Sequence, residues 1–240
     1  MPVRLARRPR ARVHVDKWMR LRDNPALMCR AMLVYHFINA KFGLAALKNR
    51  RLKITRINEL NDPFELLGVV LSDPKIQKTM EGTKEELSKD TGILCFCENW
   101  KNPLLWSHYA DKHKGICLEF EVSCTAFKKV DYIQCRIPWP DNPDKAFMER
   151  LLFTKFEDWR YEQEHRVFAE LKEKIDDSYY FDFSEELSLK SVIVGCQSDV
   201  TRTEISQALG ILSKDVEVFK AKTNLNLFDV VREENEDMRT

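Results

Sequence analysis

Gly115-Ile116-Cys117-Leu118-Glu119-Phe120-Glu121-Val122 decides the fold class. Ile116, Leu118, Phe120 and Val122 fall on one face of this stretch, and Cys117, Glu119 and Glu121 on the other. That period of two belongs to a strand with one buried face. A single strand is not stable alone, and the neighbouring sequence supplies partners. Upstream, Ile93 to Cys97 and Met32-Leu33-Val34-Tyr35-His36-Phe37 are short apolar runs that read as buried strands, and Leu52 to Ile57 alternates less regularly. Downstream, strands are expected at Lys129 to Gln134, Tyr161 to Leu171, Tyr179 to Phe183, Ser191 to Gly195, Glu217 to Lys222 and Leu227 to Val231.

Helices are expected between them. Asn39 is placed to cap a helix in which Phe42, Leu44, Ala45 and Leu47 recur at helical spacing. Asp62-Pro63-Phe64-Glu65 reads as a helix start, with Asp62 as cap, Pro63 first in the helix and Glu65 as the return partner. Ser72 to Asp90 has no clear apolar stripe and reads as a short surface helix or an insertion. Pro103 to Asp111, Lys145 to Trp159 and Thr201 to Leu212 complete the helices, with Pro138, Pro140 and Pro143 forcing a loop. Strands and helices mix without a regular βαβ rhythm. The expectation is an α+β fold: one domain over residues 28–232 with a mixed, mostly antiparallel sheet and flanking helices. A basic N-terminal extension, residues 1–27, and a frayed acidic tail, residues 233–240, flank it.

Composition narrows the function classes. The chain has 240 residues, is 44% hydrophobic and 32% charged, and carries a formal charge of +1, so no global field draws it to nucleic acid or membrane. No stretch approaches the roughly 18 consecutive apolar residues of a membrane span. Seven cysteines at uneven spacing, several inside apolar runs, point to reduced thiols and a cytoplasmic location. Arg4, Arg7, Arg8, Arg10 and Arg12 precede no apolar segment, so the start is not a secretory signal.

Four clusters could carry chemistry. His36 is a polar ring in an apolar strand and must find a partner. Asp62 and its neighbours are accounted for by capping alone. Trp106-Ser107-His108-Tyr109-Ala110-Asp111 lies near Cys95, Cys97, His113 and Cys117, but the spacing does not suit zinc, and no metal is expected. Glu162 and Glu164, if on one strand, project from the same face with Arg166, so that one carboxylate has a raised pKa unless a cation intervenes. An ordinary charged edge strand is the alternative.

These segments, in order from about Met32 to Gly195, resemble the uncharacterised domain family numbered 2971, common in bacteria. The resemblance rests on Tyr35-His36-Phe37-Ile38-Asn39, Leu60-Asn61-Asp62-Pro63-Phe64-Glu65, Cys95-Phe96-Cys97-Glu98, Leu105 to Asp111, Gly115-Ile116-Cys117-Leu118, and Trp159-Arg160-Tyr161-Glu162-Gln163-Glu164-His165-Arg166. That family implies no activity. A more distant resemblance does. An early-strand histidine, a mid-chain tyrosine and a late-strand glutamate are similar to the His-Tyr-Glu arrangement of ADP-ribosyltransferases, and Glu162-Gln163-Glu164 to their Glu-x-Glu signature. This resemblance implies NAD as substrate, Glu164 as the catalytic carboxylate, His36 orienting NAD and Tyr109 stacking, with Glu162 addressing an acceptor that is protein, nucleic acid or water. Asp62, Trp106, His108 and Arg166 would then line the substrate site. Two other readings stand beside it. One is a ligand- or partner-binding domain without turnover, as in a bacterial defence or stress system. The other is a metal-dependent nuclease built on Asp62, Glu65, Glu162 and Glu164.

Overall fold

A computed structural model describes residues 31–123 and 127–234. The basic extension, the end of the acidic tail, Cys29 and Cys124 lie outside the described residues. The alternating stretch forms strand β4 (Ile116–Ser123) at the middle of a ten-stranded sheet. Its partners are β1 (Ala31–Ile38), antiparallel with His36 opposite Leu118, and β10 (Leu187–Val194), also antiparallel. Beyond β10 come β11 (Glu217–Thr223), parallel to it, and β12 (Val230–Arg232). Ile116, Leu118, Phe120 and Val122 are buried as the alternation requires, but Cys117 is buried too. This end of the sheet is covered on both faces, so alternation alone understates its burial.

The other half of the sheet is built on β3 (Thr91–Cys97). Strand β8 (Glu164–Glu170) pairs with β3 along its whole length, from Thr91–Glu170 to Cys97–Glu164. A strand has two edges, so the remaining partners of β3 must share the second one. Strand β2 (Arg51–Arg56) takes the early part, at Gly92 and Ile93, and β1 takes the last position, where Tyr35 faces Cys97. Strands β1 and β2 therefore part from each other along one edge of β3, and between their footholds Leu94, Cys95 and Phe96 have no ladder partner on that side. Strand β9 (Tyr179–Asp182) extends β2, and β5 (Lys128–Lys129) extends β8. A separate parallel pair joins β6 (Asp131–Ile133) to β7 (Thr154–Phe156). Helices and a mixed, mostly antiparallel sheet make this an α+β fold.

Two helices cover one face of the sheet. Helix α1 (Ala40–Asn49) starts at Asn39, whose side chain accepts from the Phe42 amide. Helix α5 (Arg202–Leu209) starts with a reciprocal box between Thr201 and Glu204. They bury Leu47, Ile205 and Leu209 in a core with Val34, Phe96, Leu118 and Val192. On the opposite face, α3 (Pro103–Tyr109) carries Leu105 and Trp106 into a second core with Phe37, Cys117 and Ile193. No helix among the described residues is long and apolar enough to cross a membrane.

Several elements differ from the sequence expectation. Ser72 to Asp90 is a surface helix, but not a short one. Helix α2 (Pro74–Asp90) spans 17 residues, started by Asp73 accepting from the Lys75 amide with Pro74 behind it. It buries only Met80 and Ser88, which is why no apolar stripe marks it. Asp62-Pro63-Phe64-Glu65 forms turns rather than a helix: Asp62 accepts from the Phe64 amide, and Glu65 does not return to the cap. The helix expected over Lys145 to Trp159 is α4 (Lys145–Leu152) only. The hydroxyl of Thr154 closes its end by donating to the Arg150 carbonyl at 2.7 Å, and the chain turns into β7. A 3-10 segment, Glu157–Glu162, follows, so the strand expected from Tyr161 begins at Glu164.

Candidate functional site

The parting of β1 and β2 opens a cleft of about 280 Å³, close to the lower end of the roughly 300–1,000 Å³ usual for small-molecule sites. His36 sits at the split. It projects from the opposite side of β1 to Tyr35 and Phe37, packs its ring 5.5 Å from that of Phe96, and reaches across to the Cys95 carbonyl, Nδ1 to O 3.0 Å. That carbonyl is on the stretch of β3 edge that no strand covers. Burial lowers the His36 pKa, so the ring is neutral. A carbonyl only accepts, so the neutral ring carries its hydrogen on Nδ1 and keeps Nε2 as an acceptor.

The opposite wall is a chain of buried charges. Arg166 comes from β8, 1% exposed, and Glu65 comes from the turn after Asp62. The guanidinium donates from Nη1 and Nη2 to the two oxygens of Glu65 at 2.6 and 3.0 Å, and from Nε and Nη2 to the two oxygens of Glu164 at 2.6 and 3.0 Å. A further bond runs from Nη1 to the Leu152 carbonyl at 3.1 Å. Lys155, on β7, donates to Glu162 at 2.5 Å and to Glu164 at 3.3 Å. The Tyr109 hydroxyl, at the end of α3, donates to the other Glu162 oxygen and accepts from the Asn61 amide at 3.3 Å. The hydroxyl of Tyr132 accepts from the Glu164 amide at 2.9 Å.

Glu162 and Glu164 thus share a cation, though not through strand pleating. Gln163 between them is left-handed, φ 46° and ψ 51°, and it is this turn that carries both carboxylates to Lys155. Their titration is driven apart. Burial raises Glu162, and the nearby Glu164 charge adds to it; Lys155 and the Tyr109 hydroxyl offset only part. Burial acts on Glu164 as well, but the Arg166 guanidinium and Lys155 outweigh it and hold the pKa at about 2. Lys155 is pushed up because Glu164 and Glu162 overcome its own burial, and Tyr109 is pushed up by burial and the Glu162 charge. Glu164 is therefore a fixed charge with both oxygens held by cations. Glu162 is the carboxylate able to exchange a proton.

His36, Tyr109, Glu162, Glu164 and Arg166 all line this cleft. Asp62, Trp106 and His108 do not. Asp62 is buried and spends a carboxylate oxygen on the Phe64 amide. Trp106 is fully buried and donates its indole N–H to the Trp100 carbonyl at 2.6 Å, so it is a core residue. His108 pairs through Nδ1 with the Tyr161 hydroxyl at 2.9 Å. The sequence grouping missed Lys155, Tyr35, Asn61 and Tyr132, and it gave Glu65 a capping role or, in the nuclease reading, a metal-binding one. Lys155 had only a weak signal: the β-branched Thr154 beside it, where a helix was expected. Acidic residues could take a metal in principle, but here Lys155 and Arg166 stand between the three carboxylates. No family model matches this sequence, and neither a curated protein nor a solved structure is found to match it.

Proposed function

We propose that the cleft binds a nicotinamide nucleotide such as NAD and acts on its glycosidic bond, as an ADP-ribosyltransferase does. The observation that carries this reading is the lining of one cleft by a neutral histidine, a tyrosine and two carboxylates with opposed pKa shifts. Cleavage of the ribose–nicotinamide bond sends the bonding pair to the ring nitrogen, so nicotinamide leaves neutral and the sugar develops oxocarbenium character. A carboxylate facing that cation lowers the barrier. Glu162 takes this part in our reading, because Glu164 is held on both oxygens by Arg166, whereas among the described residues the cation on Glu162 is Lys155 alone. The acceptor, whether a protein side chain, a nucleic acid or water, then bonds to the sugar carbon and gives its proton to Glu162. His36 holds the Cys95 carbonyl at the split that opens the cleft, and Tyr109 fixes Glu162. The free thiols Cys95, Cys97, Cys117, Cys135 and Cys196 suit a reducing cytoplasm.

A second reading is binding without turnover. It is favoured by one observation: both oxygens of Glu65 and of Glu164 already have partners within the chain. Nicotinamide release from NAD separates the two. It would be measured on the purified protein and its Glu162→Gln and Glu164→Gln variants, with mixed RNA, DNA and cell extract supplied as acceptors. Transfer predicts release that falls at least about 100-fold in Glu162→Gln, the scale of a lost electrostatic contact to the transition state. Absence of release from the folded wild type under every condition refutes transfer and leaves binding.

A further inference from the structure

Behind the charged wall lies a second cavity of about 310 Å³, between α2 and α4, that the proposed chemistry does not use. Its walls are Met80 and Leu87 of α2, Met148 and Leu151 of α4, and Phe153 and Phe168. The volume is roughly twice that of a dry apolar cavity of about 150 Å³ that takes up benzene. Two methionines in the walls give it an adaptable surface. Charge appears where Lys145 and Lys84 reach it. Lys145 is exposed, and Lys84 is partly buried and donates to the Glu65 carbonyl at 3.1 Å. The carboxylate of Glu149, which also lines the cavity, is paired with Lys128. The lining is thus an apolar body with a cationic surplus at its opening.

We propose that this cavity binds a small amphipathic carboxylate: an aliphatic chain between α2 and α4, with its head group against Lys145. The proposal stands independently of any chemistry in the cleft, but the walls are contiguous with it. Leu66 follows Glu65, the Leu152 carbonyl accepts from Arg166, and Phe153 lies two residues before Lys155. An occupant therefore presses on the segments that hold the charged wall in register.

The test is calorimetric titration of the full chain with decanoate and, separately, with decanol, both below micelle-forming concentration. Saturable one-to-one binding of decanoate is expected, with decanol weaker by about tenfold for want of a charged partner. Lys145→Glu, at an exposed position that cannot disturb the core, should remove that tenfold preference and leave decanol unchanged. Met148→Trp, checked for an unaltered unfolding transition, should abolish binding of both by filling the space. Absence of saturable binding, equal binding of the two probes, or binding that survives both substitutions would each overturn the proposal.

Discussion

Replacing Arg166 by Met keeps much of the side-chain volume and removes the charge that joins Glu65 to Glu164. All five of its hydrogen bonds go, four of them to carboxylates that are each 3% exposed. Removing one partner of a buried ion pair costs about 3–5 kcal/mol, because the other charge stays out of water without compensation. The pKa of Glu164, held down by Arg166 and Lys155 together against burial, is of the same order: a fall from an unperturbed value of about 4.3 to about 2 corresponds to roughly 3 kcal/mol. A chain of this size should then unfold some 6–20 °C lower, at about 2–4 °C per kcal/mol. The pH dependence tests the cause. The folded pKa of Glu164 is depressed, so its stabilisation is complete above about pH 4.3 and lost as pH falls towards about 2. The deficit of Arg166→Met relative to wild type should therefore be full at pH 7 and shrink below about pH 4. Arg166→Lys should recover less than half, since an ammonium cannot bridge two carboxylates in the plane of the fork. Urea unfolding of the three proteins from pH 7 to pH 3 measures this. A deficit below about 1 kcal/mol at pH 7, or one that does not change with pH, would falsify the argument.

Other consequences can be measured directly. Tyr109→Phe deletes the hydroxyl that stabilises ionised Glu162, so the Glu162 carboxyl should titrate at still higher pH by carbon NMR, with about 1–3 kcal/mol of stability lost. Glu162→Gln should compare best with wild type at high pH. A carboxylate with a raised folded pKa gives its stabilisation below the unfolded pKa and loses it as pH rises through the folded one, so the variant's deficit in urea should diminish from pH 4 to pH 8. Trp106→Phe fills only part of the indole's space and strands the Trp100 carbonyl, and should cost at least about 1–3 kcal/mol by thermal unfolding. Gly195→Ala would set a Cβ 2.2 Å from the His113 carbonyl oxygen and 2.9 Å from that of Gly115, both backbone atoms, and should destabilise the chain by at least about 1–3 kcal/mol.

The sheet was legible wherever one face is buried and the other wet, as in β4, or wherever a short apolar run stands between polar residues, as in β1 and β3. The split between β1 and β2 was not legible, because it depends on which register each takes along β3, and no local pattern encodes a shared edge. Helix α2 was only half legible, as one of two readings of Ser72 to Asp90, because it buries only Met80 and Ser88 and so shows no apolar stripe. The candidate site was half legible. Glu162, Glu164 and Arg166 announce themselves as charges in a buried segment. Glu65 and Lys155 come from a turn and a two-stranded ribbon, 101 and 11 residues from Arg166 in sequence, and only tertiary structure brings them together.

The same network limits what a substitution at Glu164 can reveal. Glu164 binds Arg166 and Lys155 at once, so Glu164→Gln removes a charge from both and weakens the hold on Lys155, which in turn places Glu162. Activity lost in that variant would follow from displacement of Glu162 as readily as from a missing catalytic group. Glu162 can be tested more cleanly. Its neutralisation leaves the Arg166 contacts to Glu65 and Glu164 in place, and Lys155 keeps its contact to Glu164. A fall in turnover in Glu162→Gln at pH 8, where its stability deficit has diminished, locates the chemistry at this carboxylate. An equal fall in stability and turnover in Glu164→Gln, reversed for stability at low pH, marks a positioning residue. The converse pattern, with Glu162→Gln fully active and Glu164→Gln inactive yet as stable as wild type, would require that Arg166 release Glu164 when substrate binds.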